Sequence, residues 1–581
     1  MLRLLRYLKW YDYLLSLVVV AFVVGQVWLN MELIESMGEI VGLIQAHAQG
    51  APLTSDQLWT LGIKMLLMAL GICVCVMIIV FLASMISTSF SKTLRSKVFA
   101  KVNSFSMEEM NKFSTASLIT RSTNDIRQVE QTVFMTLRMA IMAPVMAGFS
   151  IAKIVGSSME LSWATIISVV LLLLLIIMLF IFAVPKFTSI QKKTDKINNV
   201  TRENLTGIRV VRAYNAEKEQ EQKFEEVNQD LTKTNLFVNR LMALLSPGMD
   251  IIMNGLSVAI YVIGAYLING GSLEYSTMVT FVSYAMHILM SFMFISMMFV
   301  MVPRGVVSGK RINEVLLAKS KIIDGEGANP QEVGTVEFKN VFFKYPDAEE
   351  YVLEDISFKV NKGETIAFIG STGSGKSTLI NLIPRFFDAT QGEILVDGVD
   401  VKQYKLEQLN DKIGYVPQKG YLFSGTIKSN LLFGDENANE ETLVRALKIS
   451  QSNFVKRLDG GIDHEIAQGG TNVSGGQRQR LSIARAIVKN PEIYIFDDSF
   501  SALDYKTDKT LRKALKKHTV SSTKIIVAQR VGTILDADKI VVLNEGKMVG
   551  MGTHEELLEN CEVYREIAES QLGKEAINGT K

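Results

Sequence analysis

Eight consecutive residues, Gly370-Ser371-Thr372-Gly373-Ser374-Gly375-Lys376-Ser377, have the spelling needed to hold a phosphate chain. Glycines let successive backbone N–H groups turn inward around phosphate oxygens. Lys376 can reach the β- and γ-phosphates, and the Ser377 hydroxyl can ligate Mg²⁺ at the start of a helix, with Thr378 following in the same turn. The flanking sequence agrees: Ile366-Ala367-Phe368-Ile369 reads as a strand and Thr378-Leu379-Ile380 as a helix.

About a hundred residues later, Val473-Ser474-Gly475-Gly476-Gln477-Arg478-Gln479 resembles the signature motif of ATP-binding cassette proteins, and over nearly its whole length the chain resembles one half of an ATP-binding cassette exporter. The resemblance implies ATP and Mg²⁺ as ligands and gives roles to further residues. Tyr345 in Phe343-Lys344-Tyr345-Pro346 resembles the residue that stacks on adenine. Gln418 in Val416-Pro417-Gln418 resembles the glutamine that senses Mg²⁺ and the γ-phosphate. Ile493-Tyr494-Ile495-Phe496-Asp497 is a buried-strand run ending in the carboxylate expected to hold Mg²⁺, and Ser501-Ala502-Leu503-Asp504 matches the following dimer-contact loop. Two membrane-half segments, Phe113 through Arg121 and Glu203 through Tyr214, resemble the cytoplasmic stretches that transmit motion in this family, although each also fits a solvated helix face.

Two positions depart from the family pattern. Asp498 stands where the family usually has glutamate, and Gln529 where it usually has histidine. The first change withdraws a carboxylate by about one ångström from the water it should orient, a displacement that can cost about a hundredfold in rate. The second replaces an imidazole with an amide that cannot take a proton at useful pH. ATP is therefore expected to bind here and to be hydrolysed slowly. In this family two cassettes close face to face, each ATP lying between one chain's phosphate loop and the other's signature. Since Ser474, Gly475, Gly476 and Gln477 are intact, the expected partner is a homologous half-transporter carrying the glutamate and histidine, in a heterodimer. Gln468-Gly469-Gly470, just before the signature, also lacks the family's usual charge.

These motifs need a scaffold, and composition says which. The 581 residues are 48% hydrophobic with a formal charge of +2, too long for one domain and too apolar for an ordinary soluble protein. Near-balanced charge and the lack of a basic tract with interleaved aromatics argue against a nucleic-acid partner. Cys73 and Cys75, two apart in an apolar helix, and the distant Cys561 imply no disulfide framework. Apolar runs predict six spans, at about 13–31, 61–86, 135–156, 161–185, 241–267 and 278–302. The first is too long for a signal peptide and is expected to be retained. Lysine and arginine cluster before the first span and after the second, while the 32–60 and 269–277 connections have neither, placing both ends in the cytoplasm of a cell-membrane protein. The start, Leu2 to Tyr11, is expected to lie along the bilayer surface.

The expected architecture is multi-domain: an all-α transmembrane domain of six spanning helices with long cytoplasmic extensions (1–312), a linker (313–334) and an α/β P-loop nucleotide-binding domain (335–581). The leading expectation for function is ATP-driven export of amphipathic small molecules by alternating access, with a lipid or peptide exporter, or a mainly regulatory nucleotide-clamping subunit, as alternatives. Met278, Met286, Met290, Met293, Met297, Met298 and Met301 suit either an adaptable apolar surface or plain bilayer-facing filler. Asp250, Asn254 and His287 suit either cation binding or helix-to-helix hydrogen bonding.

Overall fold

The computed structural model describes residues 3–50, 52–346 and 348–573; Leu2 of the expected surface segment and 574–581 of the expected cassette lie outside it. The chain forms two compact units, one of Met1–Asn103 with Thr115–Ala318 and one of Ser104–Ser114 with Lys319–Lys581.

The first unit contains six helical stretches long and apolar enough to cross a membrane, Trp10–Ala48, Ser55–Asn103, Thr115–Val155, Met159–Thr206, Glu217–Asn269 and Tyr275–Leu317. Each exceeds the roughly 20 residues a bilayer requires, so the polar stretches flanking the apolar runs continue as helix, as their periodicity predicts. The third is not uniform. Pro144 cannot donate to the carbonyl of Ala140, and the turn ending there, Thr136–Ala140, is π-helical. Val27, Met31, Leu172, Leu256, Ile260, Phe281 and Leu289 form a packed interior. Leu66, Leu67, Phe81, Ile167 and Leu174 remain exposed, as suits side chains solvated by hydrocarbon rather than water.

Small residues set close approaches between these helices. A Cβ on Gly305 would lie 2.2 Å from the Thr132 hydroxyl oxygen, and one on Gly264 2.5 Å from the Met278 sulfur. Polar ties cluster at the 115–135 and 304–317 stretches. Arg121 donates to the Arg311 carbonyl (2.7 Å) and to Glu314 (2.9 Å), while buried Asp125 accepts from Ser308 (2.9 Å) and pairs with Arg311 (3.3 Å). Of the polar span residues, Asn254 turns back to the Asp250 carbonyl (2.9 Å), both being exposed, and His287 has a buried Nδ1 with no hydrogen-bond partner among the described residues. Met278 and Met298 are buried, whereas Met290 and Met297 are exposed.

The second unit is built on a ten-stranded sheet and a two-stranded ribbon. The strands are β1 (Val336–Phe343), β2 (Leu353–Val360), β3 (Thr365–Gly370), β4 (Gln391–Val396), β5 (Val399–Asp400), β6 (Ile413–Val416), β7 (Gly425–Thr426), β8 (Glu465–Ile466), β9 (Ile493–Asp497), β10 (Thr523–Val527), β11 (Lys539–Asn544) and β12 (Lys547–Gly552). The large sheet runs β5-β4-β1-β2-β12-β11-β3-β10-β9-β6, and β7 pairs with β8. The segment from β11 through β3, β10 and β9 to β6 is parallel. Strands buried on both faces read as continuous apolar runs, which is how Ile493–Phe496 of β9 and Ile525–Val527 of β10 are spelled. Their side chains divide between two cores: Tyr494, Phe496 and Ile526 enter one, and Ile493, Ile495, Ile525 and Val527 the other. Residues 325–330 form neither helix nor strand, yet Gly325 N–H donates to the Tyr404 carbonyl and Gly327 N–H to that of Gln403.

Two carboxylates tie Ser104–Ser114 in place: Glu108 pairs with Lys321, and Glu109 makes the larger set of contacts. Ser106 and Glu109 form a capping box around the helix Met107–Phe113, and Glu109 accepts in addition from the Ser320 hydroxyl and the Lys321 N–H, both at 3.3 Å. Burial raises the Glu109 pKa, but the bonds from Ser106, Lys321 and Ser320 outweigh it and hold the group below its ordinary value. A depressed acid stabilises docking above its unfolded pKa, and that contribution disappears as pH falls through the folded one. Glu109→Gln is expected to lose amide-exchange protection over 104–114 at neutral pH, and the wild type to lose it only in acid; equal protection in both proteins at pH 7 would dismiss the carboxylate as the anchor.

Candidate nucleotide site

The phosphate loop leaves β3 at Gly370, beside Leu543 of β11. A Cβ on Gly370 would sit 2.0 Å from the Leu543 carbonyl oxygen, so only glycine lets the strand turn there. Gly375, at φ +90°, begins the helix Lys376–Leu382 where a Cβ would come 2.7 Å from Leu353. Ser371, Thr372 and Gly373 are exposed at the tip, and Ser374 is buried. The Lys376 ammonium donates to the Gly370 carbonyl (3.0 Å), the Ser371 carbonyl (2.6 Å) and the Ser374 hydroxyl (3.1 Å). Burial pushes its pKa down, while Asp498 and Asp497 pull it back up. Three acceptors of the loop itself thus hold a charge that phosphate oxygens can take over.

The donor set fits Mg²⁺. The Ser377 hydroxyl donates to Asp497 Oδ1 at 2.8 Å, and two neighbouring oxygens on an octahedral Mg²⁺ with bonds of 2.0–2.1 Å stand about 2.9 Å apart. Ser377 and Asp497 would hold the ion, which screens phosphate charge. Burial pushes the Asp497 carboxyl above its ordinary value, opposed by the Ser377 hydrogen bond. Cation and proton therefore compete. Mg²⁺ affinity is expected to fall with acidification through that raised pKa, approaching about tenfold per pH unit; calorimetry with ATP present would detect this, and a flat profile over the weakly acidic range would contradict it.

Tyr345 packs edge-on against Phe343 and Phe387, with centroids 5.0 and 5.4 Å away, and its hydroxyl meets Thr378 Oγ1 at 3.1 Å. It lines a pocket together with Phe387, Thr390 and the Ser106 and Glu108 side chains of the docked segment. Tyr345→Ala is expected to weaken ATP binding by about tenfold, the scale of one base–aromatic stack; an unchanged Kd would place the adenine elsewhere.

Asp498 is 7% exposed and has φ +44°, a left-handed conformation that aspartate tolerates better than most residues. Its Oδ2 accepts from both Gln418 Nε2 (3.3 Å) and Gln529 Nε2 (2.9 Å). Residues 80 and 31 positions away therefore meet on one oxygen, and both are amides that neither give nor take protons. Gln418 in turn is held near the signature helix Gly475–Lys489, because Gln479 bonds the Pro417 carbonyl (3.0 Å) and the Gly420 N–H (2.9 Å).

The signature itself is a capping box. The Ser474 hydroxyl accepts from the Gln477 N–H (3.3 Å) and the Gln477 side chain from the Ser474 N–H (2.9 Å). A Cβ on Gly475 would meet nothing within 4 Å, and one on Gly476 would approach the Ala502 carbonyl at 3.3 Å. Exposed N–H groups at the start of a 15-residue helix are suited to an anion, and among the described residues none of these four is bonded to the chain's own phosphate loop. Upstream, Gly469 and Gly470 adopt φ +70° and +66°, and Arg478 donates to both carbonyls.

Two contributors escaped sequence reasoning. Gln571, on the helix Glu562–Leu572, donates to the Gln529 carbonyl and accepts from the Val531 N–H, both at 2.8 Å, bracing the turn that presents Gln529; nothing in the local sequence signals this. Glu109 was legible in principle, since Ser106-Met107-Glu108-Glu109 spells a capping box, whereas the segment singled out began only at Phe113.

Comparison with known proteins agrees with this geometry. Residues 14–292 match the ABC transporter transmembrane region and 353–501 the ABC transporter family. An uncharacterised ABC transporter ATP-binding protein of Mycobacterium tuberculosis H37Rv is 39% identical over 508 residues, covering 86% of this chain and 87% of its own. Bacillus subtilis YfiB, also an uncharacterised ABC transporter ATP-binding protein, is 36% identical over 85% of this chain and 86% of its own. YheI of the same organism, a probable multidrug resistance ABC transporter ATP-binding/permease protein, is 32% identical over 83% of each chain. A bacterial Atm1-family ABC exporter solved with ATP bound shares the fold, with a TM-score of 0.79 at 22% identity over 97% of this chain and 98% of that one. With six spanning helices in the cell membrane and a cassette on its cytoplasmic side, the chain belongs to the ATP-binding cassette transporter family as a half-transporter of exporter fold.

Proposed function

We propose that this chain is the slow-site subunit of a heterodimeric exporter of amphipathic small molecules. The reading rests on one observation, the Asp498 carboxylate accepting from two amides, Gln418 and Gln529, at the place where attacking water must be oriented. ATP held by residues 370–378, Tyr345 and Asp497 closes the cassettes; the open Ser474-Gly475-Gly476-Gln477 helix start completes the partner's site, where the partner's glutamate and histidine carry most turnover. ATP binding and product release then alternate the access of the spanning helices. The name of the relative YheI supports drug-like cargo.

C-terminal tagging and purification from the native membrane should recover a stoichiometric homologue with glutamate and histidine at the two altered positions; a homodimer with brisk ATPase would overturn the proposal. Varied hydrophobic dyes should stimulate the ATPase of the pair, whereas stimulation by a single lipid or peptide would mark a narrower exporter. Gly475→Asp should abolish turnover at the partner's site, since a carboxylate would face its γ-phosphate, while ATP binding to this chain's own loop persists. The regulatory-clamp alternative draws on the same two-amide contact and predicts that substitutions in this chain's spans leave substrate choice unchanged.

A further inference from the structure

Lys524 is an anomaly of placement. It is the second residue of β10, whose five residues are all buried, and it is 6% exposed. Its neighbours in register are Thr365 of β3 and Tyr494 of β9. A lysine so deeply placed needs partners. Its ammonium donates to the Thr519 carbonyl (3.0 Å) and the Ser522 carbonyl (2.8 Å), just past the end of the Tyr505–His518 helix. An ammonium has three N–H donors, so one is uncommitted, and among the described residues no carboxylate forms an ion pair with it.

Lys524 lines a pocket of about 410 Å³ whose apolar wall includes Phe496, Phe500, Leu515 and Ile526. Lys509, Lys513 and Lys516 line it as well, brought to one helix face by their spacing. Arg512 is spoken for, held by Asp508 (3.0 and 3.2 Å) and the Thr533 carbonyl (3.2 Å). Among the described residues, Asp536 is the one carboxylate in the lining. Burial pushes the Lys524 pKa down, Lys516 adds to that and Asp538 opposes it. Four lysines against one aspartate, over an aromatic floor, is an arrangement that a bound anion would relieve.

We propose that this pocket binds a small amphipathic organic anion, an apolar ring system carrying a phosphate or carboxylate, at a site separate from the nucleotide loop. Its occupant would touch Phe496 and Phe500, whose rings stand 5.2 Å apart and which bracket Asp497-Asp498-Ser499 in sequence. A ligand there biases the nucleotide site to the extent that its affinity differs between nucleotide states, and nucleotide reciprocally alters its affinity.

Pyridoxal 5′-phosphate is a suitable probe, with a ring, a phosphate and an aldehyde. The neutral amine of a lysine adds to the aldehyde carbon and water leaves to form an imine, which borohydride reduces by hydride transfer to a stable secondary amine that peptide mass spectrometry locates. The full chain in lipid nanodiscs is labelled under saturating MgATP, which shields Lys376. Label should concentrate on Lys524, Lys516 or Lys513, and 1-naphthyl phosphate should suppress it about tenfold where inorganic phosphate at the same concentration does not. Label spread over exposed lysines without competition, or competition by inorganic phosphate equal to that by naphthyl phosphate, would overturn the proposal. The pair Lys513→Glu and Lys516→Glu leaves the Lys524 bonds to Thr519 and Ser522 in place. It should lower labelling of Lys524 to the same degree, and undiminished labelling would also overturn it.

Discussion

Asp498→Glu combined with Gln529→His will raise ATP turnover at this chain's own site by about ten- to a hundredfold. Glutamate extends the carboxylate by the missing methylene, and histidine removes the 2.9 Å bond from Gln529 that holds Asp498 Oδ2 while adding a group able to take a proton. Neither single change should achieve this. Glutamate alone still faces the Gln418 and Gln529 amides, and histidine alone leaves the carboxylate short, so the two effects should be strongly non-additive. Vanadate trapping of a photoreactive ATP analogue, scored on this chain, isolates the site from its partner's. Trapping that stays at the wild-type level in the double variant would overturn the assignment of a slow site to Asp498 and Gln529.

Gly370→Ala is expected to be the most damaging single-methyl change in the cassette. The added carbon would stand 2.0 Å from the Leu543 carbonyl oxygen and 2.8 Å from the Ser374 hydroxyl. The first is backbone in a paired strand and cannot swing aside, so β3 and β11 must part, at about 3 kcal/mol or more, and the loop loses its shape for phosphate. Gly373→Ala is the control. There φ is +88° but nothing lies within 4 Å, so only backbone strain of about 1–2 kcal/mol is imposed. Thermal melts and ATP binding should rank wild type, Gly373→Ala and Gly370→Ala in that order, and a Gly370→Ala protein melting with the wild type would refute the steric argument.

What the sequence made legible follows from how locally each feature is specified. The phosphate loop, β9 and the signature helix are spelled within a few residues, because their geometry depends on glycine conformations, buried-strand runs and an N-cap that act over one turn. Span number was legible for a similar reason, but helix length was not: hydropathy reports only the part that hydrocarbon solvates, while Ser55–Asn103 and Met159–Thr206 continue into polar sequence as unbroken helix. Contacts between distant residues were hidden. That Asp498 and Gln529 depart from the family pattern was readable, but not that Gln418 and Gln529 share an oxygen of Asp498, since only the parallel pairing of β6, β9 and β10 brings the ends of those strands together. Gln571 was hidden for the same reason, lying 42 residues beyond the carbonyl it holds.

The helix Met107–Phe113 has seven residues, far below the length at which a helix persists by itself in water. Glu109 closes that helix's own first turn and also receives Ser320 and Lys321, so the acceptor that completes the coil is also the one that docks it. Local folding and engagement are therefore coupled through a single side chain, as a hinge pin both closes a joint and holds it: where the Glu109 contacts to Ser320 and Lys321 are lost, the short helix should lose order with them.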